Sequence, residues 1–414
     1  MKYIFDETKK IKDKYIYNIW LMLFILISFA FKAYIIFSQG NNLNLSSDDL
    51  NYIKSAVALV RKGIFVFHQY NEPTVFVTPV YPLFLASIFK IFGYGFIGLQ
   101  VARIIQAILS SITVVLVFLS GKVLFNEKVG LIASFLVCFY FPNIITPGYF
   151  LTETLFTVLL MLLLYLSLVF SKNPKYINFI ILGIIWAVST LCRPTIAFYP
   201  VLLFFYLLIN KKLNIKSTLK LGFAMILSFL VIMSPWWIRN YMQYNMFIPL
   251  AESGGNPLLQ GTYIGYKQTP ENIVYYKLGK NAVETNKSEI ETAKKRIAEG
   301  FKKDFWGYLK WYTIDKTLLL WGTVFYWREY AGISFYDIIP FHFLIIAGFL
   351  IIPFVLFKNF KKYALPVSIL AYFNVVYCVY MSFDRYAFPL LPILSVFSSS
   401  LIYTLLTKIK LIEK

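Results

Sequence analysis

Histidine and cysteine are nearly missing from this chain, which holds two of the first and three of the second in 414 residues. His68 and His342 lie far apart, and neither has HxxxH or CxxC neighbours, so the spacing of a structural metal site is missing. Cys138, Cys192 and Cys378 all fall in apolar segments; they read as small core residues, not as a disulfide framework. Charge is scarce as well, at 14% of residues, against about a quarter in a soluble domain. There is no Gly-rich nucleotide-binding loop, no fixed-period repeat and no low-complexity tract.

What is present is apolar chain: 59% hydrophobic residues and a mean hydropathy of +0.66. Runs near 20 residues recur, each long enough to cross a hydrocarbon core of ~30 Å. They fall at roughly 16–38, 97–120, 129–146, 151–170, 177–192, 196–209, 218–238, 336–357, 363–381 and 386–407. The expected fold is an all-α polytopic membrane protein with about ten transmembrane helices. The long basic flank of the first run, with no small-residue cleavage site after it, reads as an anchor and not a removed signal.

Acidic residues number 20 against 40 basic ones, a net charge of +20. Such a balance can mark a nucleic-acid binder, but here the lysines cluster in short connections between apolar runs. Lys122 and Lys128, Lys172 and Lys175, and the stretches 210–216, 358–362 and 408–414 lie on alternate connections. Orientation explains them, with that side and both termini cytoplasmic. Two longer segments, 39–96 and 239–335, then lie outside. The chain divides into a core over 1–238, an outer helical segment over 239–335 and C-terminal membrane helices over 336–414. Within the outer segment, Ile290, Ala293, Ile297, Phe301, Phe305 and Leu309 form one helical stripe across 287–312, as in a helix lying on the membrane or over a cavity.

The stretch "SSDDLNY" at 46–52 sets two carboxylates at the water's edge. Ser46 or Ser47 can cap a helix with Asp48 and Asp49 in its first turn and Gly63 at its end. Leu50, Ile53, Val57 and Val60 would form its apolar face. Acids in a first turn also simply complement the helix dipole, worth ~0.3–1 kcal/mol. Nearby, the proline-broken segment 72–93 is too irregular for a plain span and is expected to fold back beside the acidic helix. Glu153 stands at the outer mouth of another run, where a carboxylate facing lipid would be costly. Arg193, Arg239 and Arg385 all fall on the outer side, against the usual bias of basic residues. Guanidinium forks suit phosphate; ion pairing, with Asp384 for example, or interfacial anchoring would also account for them. Tyr52, Thr78 and Tyr81 complete the substrate-binding candidates, although aromatic belts and core packing use the same residues. The glycine-rich stretch 252–262 reads as a loop closing a cavity or as a plain connector.

The order "SDDLNYIKSA", "TPVYPLFLASIFKIFG", "TETLFT", "STLCRPT", "SPWWIRNY", "ESGGNPLLQGT" and "DRYAFPLLP" resembles the C-type membrane glycosyltransferases. Within them it is most similar to the bacterial protein O-mannosyltransferase-like and lipid A aminoarabinose transferase-like group. The resemblance runs over nearly the whole chain. It implies an inverting transfer of a sugar from a polyprenyl phosphate to a glycolipid, cell-wall polymer or protein, on the outer face of a bacterial cytoplasmic membrane. It implies Asp48 as catalytic base, with Asp49 and Glu153 as further acidic residues, and Arg239, helped by Arg385 and Arg193, at the donor phosphate. It demands no cofactor; a divalent metal stays open, since carboxylates beside a phosphate can share one. The chain departs from the pattern twice: Asp49 stands where Glu is common, and Thr78 stands where relatives can carry lysine. Two other classes fit a polytopic chain, a transporter or flippase of lipid-linked sugars and a non-catalytic envelope assembly protein. A transporter would carry charge near the midplane and matching halves; here the charges sit at the outer edge.

Overall fold

The computed structural model describes residues 2–68, 72–210 and 214–409, with side chains from residue 15 onward. Most of the lysine stretches at 211–213 and 410–414, and the side chains of 9–14, therefore lie outside the described residues. The described chain is helical throughout, and Tyr330 and Ile333 make an isolated bridge.

By length and composition, six described helices can cross a membrane: Tyr15–Asn42, Phe96–Leu124, Thr152–Phe170, Ile215–Tyr244, Phe335–Val379 and Asp384–Lys408. A seventh is a bent pair, Glu127–Phe139 with Phe141–Gly148, meeting at 67°. This is fewer than the sequence count of about ten. The run at 129–146 is not one straight helix, because the chain leaves helical geometry at Tyr140 and restarts with Pro142 in its first turn. The runs at 177–192 and 196–209 become shorter helices, Tyr176–Cys192 and Tyr199–Ile209. The runs at 336–357 and 363–381 fall within one 45-residue stretch. That stretch is not straight. Asn359 has φ −156° and ψ 76°. Gly348 lies against Leu394 and Ser398, while the ring of Tyr363 packs on Phe397 in the same part of the last helix. A straight helix would set Gly348 and Tyr363 about 22 Å apart, so the chain bends back at Asn359.

Helix Phe96–Leu124 is central and packs against the N-terminal helix, Glu127–Phe139 and Thr152–Phe170. Small residues permit the closest crossings, as membrane helices require. A Cβ on Gly121 would stand 2.7 Å from the Cα of Gly130. The three cysteines are buried and unpaired, as expected. His342 is a core residue bridging the Tyr140 hydroxyl (2.7 Å) and the Trp321 carbonyl (2.8 Å).

The acidic helix forms as Asp48–Lys62 and ends at Gly63, whose φ of 65° is left-handed. Two details differ from expectation. Neither serine side chain caps it; the Asp49 carboxylate instead accepts from the backbone amides of Ser47 (2.8 Å) and Leu45 (2.7 Å). The buried face is Asp49, Tyr52, Ser55 and Ala56, while Leu50 is exposed. Small Ser55 and Ala56 let this face close on helix Val80–Phe92, which folds back beside it as the segment 72–93 suggested.

In the outer segment the expected 287–312 helix is broken. Helix Ala282–Lys303 stops at Asp304, whose carboxylate caps a second helix, Phe305–Lys310, by accepting from Gly307 N–H at 2.9 Å. Ala293 packs with Leu258 and Leu259 in a small separate core.

Candidate active site

Four buried or half-buried charged groups fix the geometry. Glu153, in the first turn of helix Thr152–Phe170, is fully buried. It lies 3.2 Å from Arg193 Nη2 and also accepts from Arg385 Nε. Arg385 reaches on with Nη1 to Asp48 Oδ2 at 2.8 Å. The chain of groups is thus Arg193, Glu153, Arg385, Asp48, two charges of each sign. A fully buried carboxylate is tolerable because two guanidiniums and their hydrogen bonds replace its water. Each comes from a different place in sequence. Arg193 follows helix Tyr176–Cys192, where the backbone turns extended before Pro194. Arg385 begins the last helical stretch, and Asp48 begins the acidic helix.

Asp48, Arg193 and Arg385 border a cavity of about 590 Å³. Asp48, Tyr52, Thr78, Arg193 and Arg385 line it, joined by Thr152, His68 and Tyr386. The Asp48 side chain keeps 41% of its exposure there, whereas Arg385 keeps 11%. The loop before helix Gly255–Gln260 and the outer helix Ala282–Lys303 form the far wall through Ser253, Asn256 and Glu289. The stretch 252–262 is therefore part of the enclosure and not a remote connector.

One atom stands out. Arg193 Nη1 is buried and has no hydrogen-bond partner. Its guanidinium lies between the rings of Phe156 and Tyr386, 5.6 Å from each centroid. A buried guanidinium N–H without an acceptor is costly, so this one is suited to an anionic oxygen brought in from the cavity.

The remaining candidates fall elsewhere. Asp49 is wholly buried, spends its oxygens on the loop amides and does not line the cavity; it shapes the loop and is not placed for catalysis. Glu153 does not line the cavity either, and acts through the arginines it holds. Tyr81 is buried one layer behind, donating to Gln106 Oε1 at 2.9 Å while its ring packs on Tyr52. Arg239 is the largest departure from the sequence reading. Its Nη1 donates to the Thr74 carbonyl at 2.8 Å, its guanidinium rests on Phe65 and Trp236, and it lines no part of the cavity. It positions the Pro-rich segment. Asp384, offered as an ion-pair partner, instead accepts from Trp327 Nε1 and from the Arg385 backbone N–H.

His68, Glu289 and Tyr386 were not singled out in the sequence. His68 carries the signal of an unusual backbone, φ 59°, which no sequence pattern announces. Its imidazole is held below the usual histidine range by burial, partly offset by Asp48. The Tyr52 phenol is pushed up, first by burial and then by Asp48, and stays a hydroxyl. Among the described residues, no group of three or more His, Cys, Asp or Glu could hold a metal ion.

A separate apolar groove of about 880 Å³ runs between helices Tyr176–Cys192, Tyr199–Ile209 and Ile215–Tyr244, lined by Phe179, Phe205 and Phe223 among others. It shares no lining residue with the cavity; helix Tyr199–Ile209 links it to the Arg193 turn.

The backbone is similar to the ArnT protein of Cupriavidus metallidurans, solved with undecaprenyl phosphate bound, at 13% identity and a TM-score of 0.57, over 92% of this chain and 59% of that one. It is equally similar to the oligosaccharyltransferase AglB of Archaeoglobus fulgidus, solved with an inhibitory peptide and a dolichol phosphate, at 13% identity and a TM-score of 0.60, over 96% of this chain and 51% of that one. The chain thus spans little more than half the length of these structures. No curated protein matches it in sequence. Residues 73–238 match the family model described as dolichyl-phosphate-mannose-protein mannosyltransferase. That match covers less than half of the chain, and the two solved structures share its fold.

Proposed function

We propose that this protein transfers a sugar from a polyprenyl-phosphate donor to a hydroxyl acceptor, with inversion, and that the cavity beside Asp48 is where it does so. The observation that carries this reading is one wall holding both halves of the chemistry: an accessible carboxylate, Asp48, bonded to Arg385 at 2.8 Å, and an unpaired guanidinium nitrogen on Arg193. The neighbours' lipid phosphates support the donor class.

Arg385 occupies one oxygen of Asp48 and fixes the carboxylate's direction. The other oxygen accepts the proton of the acceptor hydroxyl as that oxygen bonds to the sugar's anomeric carbon. The bond from that carbon to the donor phosphate breaks, and the electron pair leaves with the polyprenyl phosphate. Arg193, with Arg385 behind it, takes up the charge growing on the phosphate oxygens. Tyr52 and Tyr386 offer ring faces and Thr78 a hydroxyl to the sugar. The apolar groove along Tyr199–Ile209 supports the prenyl tail. In this reading the cavity lies on the extracytoplasmic face of a bacterial cytoplasmic membrane, with termini inside, an orientation that the lysine-rich connections support. About ten crossings result when the helices Tyr176–Cys192 and Tyr199–Ile209 and the two arms about Asn359 are each counted as one. The acceptor is a glycolipid, cell-wall polymer or protein. No step calls for a cofactor.

The test is transfer of radiolabelled sugar from a panel of polyprenyl-phosphate sugars in membranes. At equal expression, Asp48→Asn is expected to lower transfer at least ~10²-fold, the range of a general base. Equal transfer by the variant removes Asp48 from the chemistry.

A further inference from the structure

A second chamber of about 490 Å³ adjoins the Asp48 cavity. The two share four wall residues, Phe67, His68, Phe76 and Glu289. The sequence gives no hint of it, because its walls come from the Pro-rich segment, the end of helix Ile215–Tyr244 and the outer helix Ala282–Lys303.

Its walls are built and not incidental. Tyr244 donates to the Pro73 carbonyl at 2.6 Å and Arg239 to the Thr74 carbonyl at 2.8 Å, so both hold the Pro-rich wall in place. On the opposite side the Asn286 amide bonds the Glu252 carboxylate at 2.5 Å and accepts from Gly255 N–H at 2.6 Å. Gly255 is needed there, since a Cβ would stand 2.6 Å from the Asn286 carbonyl oxygen. Glu289, 7% exposed, takes a long contact of 3.4 Å from Asn256 and a hydrogen bond from the Tyr276 hydroxyl. The Glu252 carboxyl is raised by its burial, partly offset by the Asn286 amide.

The linings differ in charge. The Asp48 cavity sets Arg193 and Arg385 against Asp48 and Glu289, whereas the second chamber sets Glu72, Glu252 and Glu289 against Lys280, with His68 on the wall of both. Phosphate therefore belongs in the first and is repelled from the second. Phe67 and Phe76 stack at 5.7 Å and 15°, giving the shared wall a flat aromatic face. Flat rings beside carboxylate and amide oxygens suit a ring of hydroxyls. An extended peptide would want a run of free backbone groups to pair with, whereas the wall carbonyls of Pro73 and Thr74 already accept from Tyr244 and Arg239.

We infer that this second chamber is the acceptor lobe, and that it takes a carbohydrate unit that is uncharged or amine-bearing, with no phosphate or carboxylate of its own. This rests on the reading of the Asp48 cavity as the donor site. The acceptor sugar lies on Phe67 and Phe76 and points one hydroxyl past His68 to Asp48.

Binding can be measured without turnover, by saturation-transfer NMR on the full-length protein in detergent. The probes are chitobiose, glucosamine, glucose 6-phosphate and a serine-containing peptide. Chitobiose and glucosamine are expected to give saturation transfer; glucose 6-phosphate and the peptide are not. The pair Glu252→Gln with Glu289→Gln should weaken glucosamine at least tenfold, and Phe76→Ala should weaken both sugars. Binding of the phosphorylated sugar or the peptide as tight as that of chitobiose overturns the inference, as does sugar binding indifferent to both variants. Its failure is separate from that of the transferase reading, which falls only if the wild type moves no sugar from any polyprenyl-phosphate donor.

Discussion

Asp48 and Asp49 are adjacent in sequence and live in different surroundings. The ~100° between neighbouring helical residues puts Asp48 on the cavity wall and Asp49 in the interior, on the amides of Ser47 and Leu45. Replacing Asp49 by Ala takes the acceptor from two part-buried amides, at up to ~1–3 kcal/mol each. Asp49→Ala is accordingly expected to lower Tm by several degrees in a detergent melt while folded enzyme retains transfer within a few-fold. The opposite pattern, normal Tm with lost transfer, would return Asp49 to the chemistry. The arginines separate in the same way. Arg193→Lys keeps charge but loses the fork, and should raise donor KM at least tenfold. Arg239→Lys should leave donor KM unchanged, because its contacts are with Thr74 and two aromatic rings. The residue types were legible in sequence; their directions were not, since one step along a helix changes a side chain's surroundings.

Among the elements, the outer segment fastens to the membrane helices through a buried lysine. After a π-helical turn at Trp311–Asp315, Lys316 is fully buried and donates to the carbonyls of Cys378 (2.8 Å) and Tyr380 (2.7 Å). Those carbonyls lead into Met381, which lines the cavity, and Arg385. Burial pushes the Lys316 amine down to about 7. Between that value and the ordinary lysine range near 10.5 the unfolded chain binds the extra proton, so raising pH through this window favours the folded state. The wild-type Tm should climb from pH 7 to pH 9 more steeply than that of Lys316→Met, measured by tryptophan fluorescence; parallel slopes would refute it. The helical period of 287–312 was readable, but not its break, because Asp304 can continue a helix or cap the next one and only packing chooses.

At the scale of the molecule, the orientation is open to a direct test. Single cysteines at Lys62 and Lys361, in a background with the three buried cysteines replaced, should differ in labelling. Lys62→Cys is expected to react with a membrane-impermeant maleimide on intact cells, and Lys361→Cys only after permeabilisation. Reversed labelling would turn the cavity to the cytoplasm.

Hydropathy alone determined that this chain is a helical membrane protein, because a backbone in lipid must satisfy its hydrogen bonds within each segment. The sparse charges in the apolar edges also pointed to the site, since each must find a partner or water. The tertiary structure decided which charges meet. Arg193, Glu153, Arg385 and Asp48 converge from four separate stretches of chain, while Arg239 turns to the Pro-rich wall. It also decided where long apolar runs bend, at Tyr140 and Asn359. Both outcomes depend on packing between distant segments, which local residue pattern does not encode.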